Sequence, residues 1–340
     1  MRIGLLTGGG DCPGLNAVIR AVVRRAEMEY GDTIVGFHNG WKGMAEGDII
    51  DLSVDTTRGL VTRGGTVLGT ARYHPHEHPD GIGMVFESFK RNRLDAVICI
   101  GGDGTLAAAG ELSDAGLPMV GVPKTIDNDV TGTDYSVGFD TAVFIAADAL
   151  DRVQTTGESH NRVMVVEVMG RHNGWIALSA GIAAGAEAIL IPEVPFDIEE
   201  LSKQLIHRHR RARSSVVVVA EGATPAAGTV DWTAPRGKFG SIVAGAVGEM
   251  VRHELEERTG FDSRLTVLGH TQRGGTPTPA DRILGSRFGV AAVDAVRDGV
   301  SGVMVGLQGE SMARVPISEI AGKRKQAPAE LVEVARSLTV

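Results

Sequence analysis

The stretch from Leu94 to Asp129 constrains this chain more than any other. Ala96 to Ile100 is a run of five apolar residues with polar residues before it and glycines after it. Such a run predicts a strand buried on both faces. Gly101-Gly102-Asp103-Gly104-Thr105 follows at once, and then an alanine-rich helical segment to about Ala115. A strand that empties through a glycine turn into a helix favours anions. Glycines let backbone N–H groups approach a phosphate, and the helix N-terminus faces it with partial positive charge. Asp103 would repel a bare phosphate, but suits one reached through Mg²⁺. A second strand, Met119 to Val122, then delivers Pro123-Lys124-Thr125-Ile126-Asp127-Asn128-Asp129. Two carboxylates and an amide at a strand end pack poorly. They suit orienting a metal–phosphate and accepting a proton from an attacking hydroxyl. A tight turn with Asp103 capping the helix would explain the first motif by itself, but not the pair.

Around this centre the chain alternates strands and helices. Strands are expected at Ile3–Thr7, Thr33–Phe37, Val163–Val168, Ala188–Ile191, Val216–Val219, Leu265–Leu268 and Gly302–Leu307. Helices are expected from Leu15 to Ala26, Phe139 to Val153, Asn173 to Ala184, Asp197 to about Arg211, Ser241 to Glu257, about Asp281 to Asp298, and at the C-terminus. Asp197 with Glu200 reads as a capping box, and Thr224 to Gly240 as a surface loop. The alternation predicts an α/β protein with mostly parallel sheets covered on both faces, and 340 residues suit two such domains. The 46 glycines and only 4% aromatic residues fit many strand–helix turns.

Several function classes are excluded. Gly8 to Gly14 lacks the third glycine of the dinucleotide fingerprint, at Pro13, and no GK[ST] occurs for a P-loop. There is no GxSxG, which disfavours a nucleophile-elbow hydrolase. The histidines of HPHEHP, residues 74–79, lie in a proline-punctuated loop without HExxH, which argues against a transition-metal site. A net charge of −8 offers no overall basic field for nucleic acid or membrane. Cys12 and Cys99 form no CxxC and fit a reducing cytosol. The chain enters a strand without a charged leader or long apolar core, so a cytoplasmic protein without a membrane span is expected.

Further strand ends carry polar chemistry. Met169-Gly170-Arg171 sits just past Val168, where ligands gather in parallel sheets. Glu221 follows the valine strand. Gly269-His270-Thr271-Gln272-Arg273-Gly274-Gly275 reads as an anion site. Arg162 precedes its strand, and Arg20 and Arg24 read as a solvated helix face.

Taken together, GGGDCPGLNA, RGGTVLGTAR, GGDGT, PKTIDND, VEVMGR, AEG and VLGHTQRGG resemble, in order and over nearly the whole chain, the ATP-dependent 6-phosphofructokinase family of bacterial type. The resemblance implies two doubly wound, mostly parallel-sheet α/β domains: a nucleotide domain of 1–138 plus about 259–303, and a sugar-phosphate domain of 139–258 plus about 304–340. It implies transfer of the γ-phosphoryl group of MgATP to the 1-hydroxyl of fructose 6-phosphate, a step of glycolysis. Gly10, Arg72, Tyr73 and Gly102, Asp103, Gly104 and Thr105 would line the nucleotide site, with Asp103 holding Mg²⁺. Asp127 would be the general base. Thr125, Asp129 and Arg171 would position the transferring group. Thr125, Ile126 and Asp127, then Met169, Gly170, Arg171, Glu221, His270, Thr271, Gln272 and Arg273, would hold the sugar phosphate. Arg162 and Arg264 would reach it from a neighbouring subunit of a homotetramer. Arg20, Arg24, Arg213 and Glu187 match an allosteric effector site, where Gln154 replaces a further arginine.

The donor signature is mixed. Lys124 stands where ATP-using members often have glycine and is similar to pyrophosphate-using relatives, which usually carry aspartate where this chain has Gly104. ATP is expected, because an aspartate at 104 would fill the site and repel the α-phosphate, whereas a lysine at 124 can swing toward any phosphate. The alternatives are a pyrophosphate-dependent phosphotransferase, a GGDGT kinase acting on NAD or a lipid, and a non-catalytic sugar-phosphate sensor. The MGR and HTQRGG motifs speak against the NAD or lipid kinase, and intact Asp103, Asp127 and Asp129 against the sensor.

Overall fold

The computed structural model describes residues 1–212, 214–237 and 242–339, without the side chains of 209–212. The elements run β1 (Arg2–Thr7), α1 (Leu15–Tyr30), β2 (Thr33–Phe37), α2 (Trp41–Glu46), β3 (Ile49–Leu52), α3 (Gly81–Arg91), β4 (Ala96–Gly101), α4 (Asp103–Asp114) and β5 (Met119–Pro123). Next come α5 (Phe139–His160), β6 (Val163–Val168), α6 (Trp175–Ala184), β7 (Ala188–Leu190), α7 (Ile198–Ala212), β8 (Ser215–Ala220), α8 (Ala246–Thr259) and β9 (Ser263–Val267). The chain ends with α9 (Pro279–Arg297), β10 (Val303–Gln308), β11 (Ser311–Pro316), α10 (Ile317–Ile320) and α11 (Ala329–Leu338). Among the described residues no helix is long and apolar enough to cross a membrane.

Two compact units result. One is Met1–Thr141 with Arg273–Lys325; the other is Ala142–Gln272 with Gln326–Val340. The first holds a seven-stranded sheet in the order β11-β10-β5-β4-β1-β2-β3. Its five inner strands are parallel, and β3 and β11 pair antiparallel at the two edges. The apolar run of β4 is buried throughout because both faces are covered. Val97 and Cys99 join Leu6, Phe37, Trp41, Met44, Leu106 and Leu112 in one core cluster. Ile98 and Ile100 are equally buried, on the alternate side of the strand. Helices α1 and α9 pack closely against each other. Glycine permits that approach, since a Cβ at Gly289 would lie 2.7 Å from both Ala21 Cβ and the Val18 carbonyl oxygen.

The second unit holds a parallel four-stranded sheet in the order β7-β8-β6-β9. Val163, Val165, Val217 and Val219 pack with Leu201 and Leu205 of α7 and Val247 and Val251 of α8. Val166, Val168, Val216 and Val218 are also buried, and α6 lies against β7 and β8. Helix α8 starts at Ala246 rather than Ser241, which lies outside the described residues. Gly245 takes a left-handed φ of 87°. The buried Glu167 carboxylate accepts from the N–H groups of Gly245 at 2.5 Å and Gly248 at 2.7 Å, satisfying that helix end. Asp197 caps α7 through the N–H groups of Glu199 and Glu200, but the Glu200 side chain accepts from Gln204 instead of closing a box.

The unit limits differ from the expected 259 and 303. The expected crossing at about 259 moves to 273 because β9 pairs with β6. The expected return at about 304 moves to 326 because β10 pairs with β5 and carries β11 with it.

Candidate active site

In the first unit, β1 lies between β2 and β4, so the chain leaves β1 to one side and later returns on the other. Ligands gather at the carboxyl ends of strands where the order switches in this way. There the structure brings together Gly9 and Gly10 after β1, Arg72 and Tyr73 after β3, Gly102, Asp103, Gly104 and Thr105 after β4, Lys124 and Thr125 after β5, and Arg273. Thr105 packs beneath two of the turns. A Cβ at Gly8 would meet its Oγ1 at 2.5 Å, and one at Gly101 its Cβ at 2.3 Å, so those backbones approach only as glycine. Asn16 ties the first glycine loop to the Arg63–Val67 loop, donating to the carbonyls of Arg63 and Gly64 and accepting from the Val67 N–H. Thr70 Oγ1 donates to the Gly9 carbonyl at 2.6 Å.

Asp103 does not cap α4. It is the helix's first residue, after Gly102, and its Oδ1 accepts from the Gly322 N–H at 3.3 Å. Among the described residues no group of three or more His, Cys, Asp or Glu side chains gathers as a metal cage. A single carboxylate beside a phosphate pocket is still a donor set that suits Mg²⁺, which takes one or two protein carboxylates plus substrate phosphates and water.

Lys124 departs from expectation. It is not a swinging cation: only 3% of it is exposed, and its Nζ donates to the Gly10 carbonyl at 2.5 Å. Burial, with Arg273 nearby, holds its pKa below the usual lysine range, while Cys12, Asp11 and Asp127 pull the other way. It is a fixed cation in the pocket wall. Arg273 Nη1 donates to the Asp11 carbonyl at 3.3 Å. Cys12 offers no nucleophile here, because burial pushes its thiol up to about 12.

Asp127 carries the distinctive chemistry. Its Oδ1 is buried without a hydrogen-bond partner. Burial, then the neighbouring charge of Asp129, raise its pKa from 3.8 to about 6, against the pull of Arg273 and Lys124. Its N–H donates to Thr125 Oγ1 at 3.2 Å. Contrary to the expectation from sequence, the Asn128 amide is not available to a metal–phosphate. Asn128 is fully buried in the left-handed region (φ 50°). Its Nδ2 donates to the Asp134 carbonyl and its Oδ1 accepts from the Ser136 N–H. It shapes the turn that presents its two acidic neighbours. Lys325 braces the same turn, its N–H donating to the Asp129 carbonyl and its Nζ to the carbonyls of Thr133 and Asp134. Ile126 is buried and anchors the segment.

Three further residues line the pocket, Ala71, Trp41 and His74. Trp41 lay in a short helix with no chemical motif around it. His74 belongs to the proline-punctuated histidine tract, which lacks the spacing of a metal site.

In the second unit, Met169, Gly170 and Arg171 follow β6 and Glu221 follows β8. The Glu221 N–H donates to the Val168 carbonyl and the Gly222 N–H to that of Gly170. Gly170 has a φ of 143°, and a Cβ at Gly222 would lie 2.1 Å from the Arg171 carbonyl oxygen, so both need glycine. Arg171, His270 and Thr271 are exposed, whereas Gln272 is fully buried. Its Oε1 accepts from the Met169 N–H at 3.4 Å and its Nε2 donates to the Gly269 carbonyl at 3.0 Å, so it holds two strand-end loops together. Arg273 is grouped not with these residues but with the first unit.

Arg162 and Arg264 occupy the entry ends of β6 and β9. Both reach Asp262, Arg162 Nε at 2.6 Å, and the Arg162 contact foremost holds the Asp262 carboxyl below its ordinary range. Arg20 and Arg24 are half-buried on α1. Glu187 accepts from Arg208 and from the Val216 N–H, Gln154 donates to Glu158, and Arg213 lies outside the described residues.

A family model described as phosphofructokinase matches residues 2–296. A pyrophosphate–fructose 6-phosphate 1-phosphotransferase of Amycolatopsis methanolica is 51% identical over 336 residues, 98% of each chain. An ATP-dependent 6-phosphofructokinase of Streptomyces coelicolor is also 51% identical, over 330 residues, 96% of this chain and 97% of that one. The phosphofructokinase of Saccharomyces cerevisiae superposes with a TM-score of 0.81 at 33% identity; the match covers 94% of this chain but only 45% of the yeast chain.

Proposed function

The chain belongs to the phosphofructokinase family, and on that premise we propose that it transfers the γ-phosphoryl group of MgATP to the 1-hydroxyl of fructose 6-phosphate. The observation that carries this reading is Asp127, an acidic group with one oxygen sealed from solvent and a pKa raised to about 6, at the edge of a glycine-built phosphate pocket. A carboxylate so tuned is ionised at neutral pH, yet basic enough to take the proton of an attacking hydroxyl. Asp103 would hold Mg²⁺, which supplies charge neutralisation at the transferring phosphates when bound. Lys124 and Arg273 set two cations beside the Gly10 loop, where they counter charge building on the donor. Thr125 and Asp129 flank the base. Met169, Arg171, Glu221 and His270 are assigned to the sugar phosphate, with Arg162 and Arg264 donated by a neighbouring subunit of a cytoplasmic homotetramer.

ATP is favoured by Gly104. It keeps clear the space in which an aspartate would repel the α-phosphate of ATP; a Cβ there would press only on the movable end of His74, with Cε1 at 2.9 Å. A second reading, pyrophosphate as donor, draws on Lys124, a fixed cation suited to a short, highly charged donor. Relatives of both kinds are equally similar, so identity does not choose between them. The test is formation of fructose 1,6-bisphosphate with Mg²⁺ and either donor. Faster turnover with ATP is expected; faster turnover with pyrophosphate overturns the donor, and no transfer with either overturns the activity.

A further inference from the structure

The three alternating histidines of residues 74–79 have different fates. The His78 ring stacks on Tyr73 at 4.1 Å with only 5° between the planes. His76 Nδ1 pairs with Glu111 of α4 at 2.9 Å. Pro75 opens a short 3-10 turn, and the Glu77 N–H donates to the His74 carbonyl at 3.0 Å, fixing the backbone around His74. With its two fellows anchored, the half-buried His74 imidazole lies along the donor pocket, against Gly104.

The pocket has two ends. At one, Lys124 and Arg273 surround Gly10 and bear on the charge of Asp127. The transferring phosphoryl group belongs there, next to the base. The other end is bounded by Gly104 and His74. Pyrophosphate has only two phosphoryl groups to set beside these cations. A nucleoside triphosphate brings a third phosphoryl group and a nucleoside that must continue past Gly104. An independent sign that the pocket takes a polar ligand is Trp41, also in its lining. It is 2% exposed, yet its indole N–H is buried without an acceptor, a state that a bound ligand would relieve.

Building on the kinase reading above, we infer that His74 contacts the part of the phosphoryl donor that a nucleotide has and pyrophosphate lacks, and so selects for the nucleotide, while the Trp41 indole N–H donates to the same ligand. Donor choice then rests on His74 as well as on Gly104 and Lys124.

Calorimetric titration of the full chain with MgADP and, separately, with magnesium pyrophosphate tests this without turnover. His74→Ala should weaken MgADP binding about fivefold to tenfold, the worth of one hydrogen bond or ring contact, and leave pyrophosphate binding within about twofold. Trp41→Phe should weaken MgADP binding to a similar degree. An unchanged MgADP affinity in His74→Ala overturns the inference, as does an equal loss for both ligands or a native protein that binds pyrophosphate but not MgADP. His74 lies in a half-exposed loop, and an unchanged melting temperature certifies the fold of the variant. If ATP supports turnover and His74→Ala binds MgADP normally, only this inference falls. If neither donor supports turnover, the functional reading falls and the binding comparison still decides the role of His74.

Discussion

Replacing Asp127 by asparagine should stabilise the protein while disabling it. The fold raises this carboxyl from 3.8 to about 6, mostly by burial and then by the charge of Asp129, after Arg273 and Lys124 have offset part of the rise. That difference disfavours the ionised form in the folded state by about 3 kcal/mol at pH 7. The sign follows from proton counting. Below about pH 4 both folded and unfolded chains hold the proton, and Asp127 makes no difference. Between about 4 and 6 the unfolded chain has lost the proton and the folded one keeps it, so stability falls as pH rises through that window and stays lower above it. Asparagine cannot ionise. Melting followed by circular dichroism should therefore show Asp127→Asn several degrees above the native protein at pH 7.5, at most about 10 °C, with the gap closing toward pH 4. Turnover should drop about 10²- to 10⁴-fold, the usual worth of a positioned base. In the native enzyme kcat should fall on acidification with a midpoint near 6, about tenfold below its plateau at pH 5. Asp129→Asn should move that limb to lower pH by removing the neighbouring charge. An Asp127→Asn protein that melts lower than the native one at pH 7.5, or an acid limb with a midpoint at 4, would refute the reasoning.

Three further outcomes are expected. Gly104→Asp should cripple use of ATP, because the new carboxylate would enter the space beside His74 and repel the α-phosphate; kcat/KM for ATP and pyrophosphate checks this, and undiminished ATP use would remove Gly104 from donor selection. Asp127→Ser and Arg162→Ala should each be weak, and co-refolded hybrids should regain activity where one interface pairs an intact base with an intact arginine; hybrids no better than either parent would count against a shared site. Asp281→Ala should cost about 3 kcal/mol in urea unfolding, since that buried carboxylate accepts from the N–H groups of Gly138 and Thr141 and from Thr141 Oγ1 at 2.5–2.8 Å; a loss under 1 kcal/mol would show that water replaces it.

The sequence by itself determined the strand–turn–helix order, the glycine turns and the acidic pair of the TIDND segment. These are local matters: an apolar run bounded by glycine has few conformations open to it, and a turn that must meet a phosphate needs its amides bare. The antiparallel edges β3 and β11 escaped notice because Ile49–Leu52 and Ser311–Pro316 are half-exposed and lack the apolar run that marks an inner strand. Only the tertiary structure decided which polar residues face the ligand. Asn128 and Gln272 sit in the same motifs as Asp127 and His270, yet their amides are bonded inside the protein. Lys124 reads as a mobile charge and is instead pinned to the Gly10 carbonyl. Trp41 stands outside every motif and His74 lies in the proline-punctuated histidine tract, and both reach the pocket only because separate loops converge there. Spacing along a chain sets which way a backbone turns, but whether a side chain is bonded within or left facing a ligand depends on neighbours that are distant in sequence and meet only on folding.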